Sequence, residues 1–192
     1  MKDNFKNKKM DLHLAIQTLE KTIENPRIGL PEDIFFFISR LTAMVNVDLL
    51  VRDKHKGILL SWRDTVFSGA GWHVPGGIIR FKESLEERIK QVALSELGTQ
   101  VEYNPVPIAI NQIEKSHKTR GHFISFLFNC YVSDDFIPDN SSRKPTDSGY
   151  LQWHQNCPDN LIKVHNRLYR EFIETPSRGN YKDHIPYWKI DE

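Results

Sequence analysis

GWHVPGGIIRFKESLEERIKQVALSELG, Gly71 to Gly98, decides the reading of this chain. A strand end runs into Pro75, a Gly-Gly loop follows, and a helix begins that a glycine closes. Leu85, Ile89, Val92, Ala93 and Leu97 recur at i, i+4, i+7, i+8 and i+12, the stripe of a helix that buries one face. Glu83 stands at the first turn, where a carboxylate satisfies free backbone N–H groups and acts as a cap. Residues three and four apart share a helix face, and of Val92, Ser95 and Glu96, which share one at the end of this helix, Glu96 alone is a carboxylate. One carboxylate can hold at most one weakly bound divalent ion, too little for a cluster that activates water.

The rest of the chain sets bounds. Its 192 residues suit one domain of ordinary size, and 39% hydrophobic with 27% charged residues describes a globular protein with a real core. A formal charge of +1 gives no support for bulk binding to nucleic acid or to a membrane surface. Two cysteines, Cys130 and Cys157, are too few for a disulfide framework, and a reduced cytoplasmic setting is expected. No apolar run follows the basic start, and the IFFFI cluster at 34–38 is far too short to span a bilayer.

Periodicity places the elements. An amphipathic helix is predicted over 10–25, ended by Pro26 and Gly29, and a short helix over LPEDIFFFISRL. TAMVNVDLLVRDKHKGILLSWR reads as a β-hairpin turning at Gly57. VPIAINQIEK and HFISFLFNCYV read as strands joined by SHKTRG, YLQWH as a short strand, and CPDNLIKVHNRLYREFIE as an amphipathic helix. The tail after residue 175 reads as irregular. This order favours an α+β or α/β sandwich around one mixed sheet.

The glycine and glutamate spacing resembles the Nudix box, Gly-x5-Glu-x7-Arg-Glu-U-x-Glu-Glu-x-Gly-U with U aliphatic. Gly77, Glu83, Glu96 and Gly98 fit it; Gln91, Val92 and Ser95 depart from it. The reduced box is most similar to that of the GDP-mannose mannosyl hydrolases, which keep essentially the last glutamate. LPEDIFFFISR with VNVDLLV, ILLSWR, GWHVPGG, YLQWHQ and VHNRLYREF also resemble segments of that family, so the likeness runs from about Leu30 to Ile173.

The resemblance implies a Nudix α/β/α sandwich over 30–175, while the N-terminal helical extension over 1–29 and the irregular tail over 176–192 lie outside it. It implies a homodimer and one Mg²⁺ ion, with Mn²⁺ as an alternative. The activity it implies is hydrolysis of a nucleotide-diphosphate sugar at the anomeric carbon. Asp48 and Arg63 fall on positions that contact the nucleotide sugar, and the Gly76 carbonyl and Glu96 on metal-ligand positions. Asp147 and Ser148 stand where the family has its third ligand and its catalytic histidine, and serine lacks the pKa of a base. Ile78 and Gln91 replace two family arginines, for which Arg80 or Lys82 is the available substitute. His117 and His122, flanking the SHKTRG turn, are the candidate replacement bases; solvated loop histidines are the plainer reading. Asp48 is expected to pair with an internal arginine or to face substrate, Trp72 to pack in the core or at a dimer contact or else to stack on a base, His73 to pack, and His165 to lie on a helix surface or at an interface. Pyrophosphate cleavage and non-catalytic nucleotide-sugar binding remain the alternatives.

Overall fold

The computed structural model describes residues 2–115, 117–175 and 187–190, with side chains from residue 11 onward. Helices α1 (Lys2–Lys21) and α2 (Glu32–Ser39) precede the hairpin β1 (Met44–Asp53) and β2 (Gly57–Thr65). Then come β3 (Gly69–His73), β4 (Gly76–Ile78), helix α3 (Leu85–Val92), β5 (Glu102–Tyr103), β6 (Ala109–Lys115) and β7 (His122–Tyr131). Strand β8 (Leu151–His154), helix α4 (Lys163–Glu174) and β9 (Tyr187–Ile190) complete the order.

One mixed sheet runs β3-β2-β1-β7-β6-β9, with β4 on β1, β5 on β7 and β8 on β2. Strands β1 and β7 are parallel, as are β6 and β9. Strand alternation divides β1 between two cores. Val47, Leu49 and Val51 pack with Ile89, Val92, Ala93 and Leu97 of the box helix. Leu50 faces the other way and packs with Leu168, Tyr169 and Ile173 of α4. The sheet therefore lies between α3 and α4, the expected α/β/α sandwich.

Three local expectations are corrected. Residues 187–190 are not irregular: Tyr187–Ile190 add to the sheet beside β6, and Ile190 is buried. The remaining tail residues, 176–186 and 191–192, lie outside the described residues. The helix cap is Ser84, not Glu83: the Ser84 hydroxyl accepts from the Glu87 N–H while the Glu87 carboxylate accepts from the Ser84 N–H. The box helix also stops being α-helical at Val92 and widens into a π-helical turn over Ala93–Leu97 before Gly98 closes it at φ 71°. Glu96 is carried by that wider turn, so the three- and four-residue spacing of an α-helix does not set its direction.

Candidate active site

Strands β1, β2 and β3, the β3–β4 connection, the β6–β7 turn and the first turn of α4 surround a cavity of about 500 Å³. Its size is that of a small-molecule site. Asp48, Arg63, His73, Gly76, His117, Arg120 and His165 all line it.

Asp48 is 5% exposed and lies on the α4 side of β1. Its Oδ2 accepts from Asn46 Nδ2 at 2.9 Å and from the hydroxyls of Ser125 and Tyr169, which are themselves 2.6 Å apart. No arginine forms a bond to it among the described residues; amide and hydroxyl donors replace the expected internal ion pair. Burial pushes its pKa up from 3.8 to about 6, against the lowering effect of the Ser125 and Tyr169 hydrogen bonds. Its other oxygen reaches to where a Cβ on Gly76 would stand, only 2.1 Å away. Glycine at 76 is thus what lets β4 approach the carboxylate.

Glu96 lies between Arg63 and His73: Arg63 is 3.5 Å from Oε1, and Nε2 of His73 is 3.4 Å from Oε2. His73 is therefore a site residue and not packing alone. Its Nδ1 lies 2.7 Å from the Ser61 carbonyl, which only accepts, so Nδ1 carries the hydrogen. His165 is likewise drawn into the site from α4. Its Nδ1 accepts from the Val74 N–H at 2.9 Å, and its ring lies 5.0 Å from Tyr169 and 6.0 Å from His73. Burial, with His73 and Arg63 nearby, holds His165 well below 6.5, so it is neutral.

Arg120 enters from the β6–β7 turn between two rings, 5.3 Å from Phe35 of α2 and 5.1 Å from Phe67 after β2. Its buried Nε has no hydrogen-bond partner among the described residues. Burial, and then Arg63, push its pKa down. A part-buried cation held by rings, with no carboxylate partner among the described residues, is set up to receive an anion. Arg80 also lines the cavity, beside Gly29, whereas Lys82 lies over Phe81 and does not line it.

The other expected site residues fall as follows. Glu83 ties the loop before α3, accepting from the Arg80 N–H at 2.7 Å and pairing with Arg88 at 2.7 Å. Gly77 backs onto Val92. Asp147 is exposed, accepts from the Lys144 N–H at 2.8 Å and does not line the cavity; Ser148 accepts from the Asp64 N–H. His117 lines the cavity, but its Nδ1 accepts from the N–H groups of Thr119 and Arg120, which leaves Nε2 as a donor. His122 Nε2 accepts from Gln112 at 3.1 Å outside the cavity. Trp72 packs between Trp62 and His154 in the core.

The residues fit a metal only in a reduced form. Val92 is buried, and Ser95 turns back to the Val92 carbonyl. Among the described residues no three His, Cys, Asp or Glu side chains converge on one point. A multi-metal centre does not fit; one ion held at Glu96 and completed by water and phosphate oxygens does.

Comparison with solved structures places this architecture. A NUDIX hydrolase from Nitrosomonas europaea superposes with a TM-score of 0.55 at 18% identity, over 77% of this chain and 80% of that one. The fold is that of the Nudix hydrolases. A possible asymmetric diadenosine tetraphosphate hydrolase from Jonesia denitrificans shares the Nudix fold at TM-score 0.55 and 16% identity, covering 74% and 99% of the two chains. The MutT protein of Methanosarcina mazei does so at 0.51 and 22%, covering 73% and 96%. In sequence, the chain is 27% identical over 116 residues to the low-salt glycan biosynthesis protein Agl8 of Haloferax volcanii, spanning 58% of this chain and 74% of that protein. No protein-family model matches. Among the described residues no helix is long and apolar enough to cross a membrane.

Proposed function

We propose that this Nudix-fold chain hydrolyses a nucleotide-diphosphate sugar at the anomeric carbon, in the manner of the GDP-mannose mannosyl hydrolases its sequence resembles. One observation carries the reading: Asp48 lines the cavity as a buried carboxylate, whereas Glu96 contacts the lining residues Arg63 and His73 without lining it. Glu96 is held against Arg63 and His73, whereas Asp48 is buried, with its pKa raised to about 6. A pKa near the working pH suits a general base. Asp48 takes a proton from water as the water oxygen bonds to the anomeric carbon. The bond from that carbon to the diphosphate oxygen breaks, and its electron pair leaves with the nucleoside diphosphate. Arg63 and Arg120 neutralise the leaving charge. A divalent ion, Mg²⁺ or Mn²⁺, held by Glu96 and the Gly76 carbonyl, supplies further charge neutralisation there. The named role of Agl8 in glycan biosynthesis supports a sugar-bearing substrate. We also propose a homodimer that uses α1, whose Leu12, Ile16 and Leu19 are exposed.

A second reading, a nucleotide-sugar binder without turnover, is favoured by the two candidate histidines, whose resolved ring nitrogens act as acceptors within the protein. Thermal unfolding and product analysis with a panel of nucleotide sugars separate the two. A hydrolase releases nucleoside diphosphate and stops doing so in Glu96→Gln. A binder is stabilised by ligand, with no product formed.

A further inference from the structure

Nδ1 of His73 is committed as a donor to the Ser61 carbonyl, so the neutral ring presents a lone pair at Nε2. That atom is buried, has no hydrogen-bond partner among the described residues, and lies 3.4 Å from Oε2 of Glu96. Two acceptors facing each other at this distance repel unless something positive lies between them. Two bodies qualify: a proton, making His73 an imidazolium, or a metal ion. A shared proton would draw the pair to about 2.7–2.9 Å, shorter than the separation here. The second has the right dimensions. Ligand atoms at about 2.0–2.2 Å from one ion, at tetrahedral or octahedral angles, are separated by about 2.9–3.5 Å.

We propose that His73 and Glu96 form a mixed nitrogen–oxygen metal site, in which a histidine from β3 takes the place of the carboxylates that positions 92 and 95 lack. An imidazole donor changes the preferred ion. Mg²⁺ takes oxygen ligands, whereas imidazole favours borderline transition ions such as Co²⁺ or Zn²⁺, and Mn²⁺ over Mg²⁺. Arg63 lies on the other carboxylate oxygen, and both His73 and Arg63 line the cavity, so bound phosphate has access to the same spot. Water or phosphate fills the remaining coordination positions.

The test uses Mn²⁺ and the full chain without substrate, read by pulsed electron paramagnetic resonance and by equilibrium titration. Bound Mn²⁺ should show coupling to a ring nitrogen, and that coupling should change when the protein is made with ¹⁵N-histidine. His73→Gln should abolish the coupling and weaken Mn²⁺ binding about tenfold or more, while Mg²⁺ binding changes little. Glu96→Gln, on a part-exposed side chain, should weaken both ions, which guards against a His73 variant that fails to fold. Mn²⁺ bound without nitrogen coupling, coupling that survives in a folded His73→Gln protein, or no Mn²⁺ binding at millimolar concentration would overturn the proposal and assign the gap to a proton. The outcome is independent of the hydrolase reading. A protein that binds Mn²⁺ through nitrogen yet releases no product keeps this site and loses that function.

Discussion

Asp48→Asn should make this protein more stable at alkaline pH while removing its activity. The carboxylate is buried at the cavity wall, and burial raises its pKa from 3.8 to about 6. Between those values the folded state keeps a proton that the unfolded chain has released. The carboxyl's contribution to stability is therefore whole below pH 3.8 and is lost as pH rises through about 6. At about 1.4 kcal/mol per pH unit, the loss above pH 6 is about 3 kcal/mol. Asparagine has the same shape, and its amide oxygen can accept from Asn46, Ser125 and Tyr169 in place of Oδ2. The variant should gain up to about 3 kcal/mol at pH 8, roughly 6–12 °C in melting temperature, and almost nothing at pH 4. Thermal unfolding by circular dichroism across pH 4–8 measures this. Equal shifts at both ends, or destabilisation at pH 8, would refute the reasoning, because either outcome means the charge is not being held against burial.

The pH dependence of turnover should follow the same group: kcat/KM should fall as pH drops below about 6, where Asp48 gains its proton. Gly76→Ala places a methyl 2.1 Å from Asp48 Oδ1 and 2.8 Å from the Val47 carbonyl, and should cost about 2–3 kcal/mol in urea unfolding together with activity. Glu83→Gln leaves Arg88 buried without its partner and should destabilise by about 3 kcal/mol. Arg120→Leu should lower nucleoside diphosphate affinity by about 10- to 100-fold in calorimetry without loss of stability, since it removes a part-buried cation with an unpartnered Nε and no carboxylate among the described residues.

The sandwich was legible because its signals are local. The 3.6-residue stripe of the box helix, the two-residue alternation of β1 and the turn at Gly57 each fix an element within a few residues, and the core clusters follow them. The strand YWKI was missed because it is only four residues long and gains its stability from β6, far away in sequence. The site was legible only in outline. Spacing picked out Glu96, but its partners His73 and Arg63 come from separate strands, and the π-helical turn that aims it has no spacing rule. The hydroxyl donors to Asp48 lie 77 and 121 residues along the chain, so only the fold brings them together. Asp147 shows the limit of reading by sequence position. A carboxylate placed by sequence near the family's third-ligand position lies outside the cavity and accepts from its own loop. The histidines could be judged only once their hydrogen bonds were known, because a ring nitrogen that accepts within the protein is not free to act as a base.

The most direct test of the central claim is phosphorus and carbon NMR of the products formed from GDP-mannose and related nucleotide sugars in ¹⁸O-labelled water with Mn²⁺ or Mg²⁺. Attack at the anomeric carbon predicts unlabelled nucleoside diphosphate and a sugar carrying the label on its first carbon. Label on a phosphate, with nucleoside monophosphate and sugar 1-phosphate as products, would contradict that account and restore the pyrophosphate cleavage that a single box carboxylate argues against.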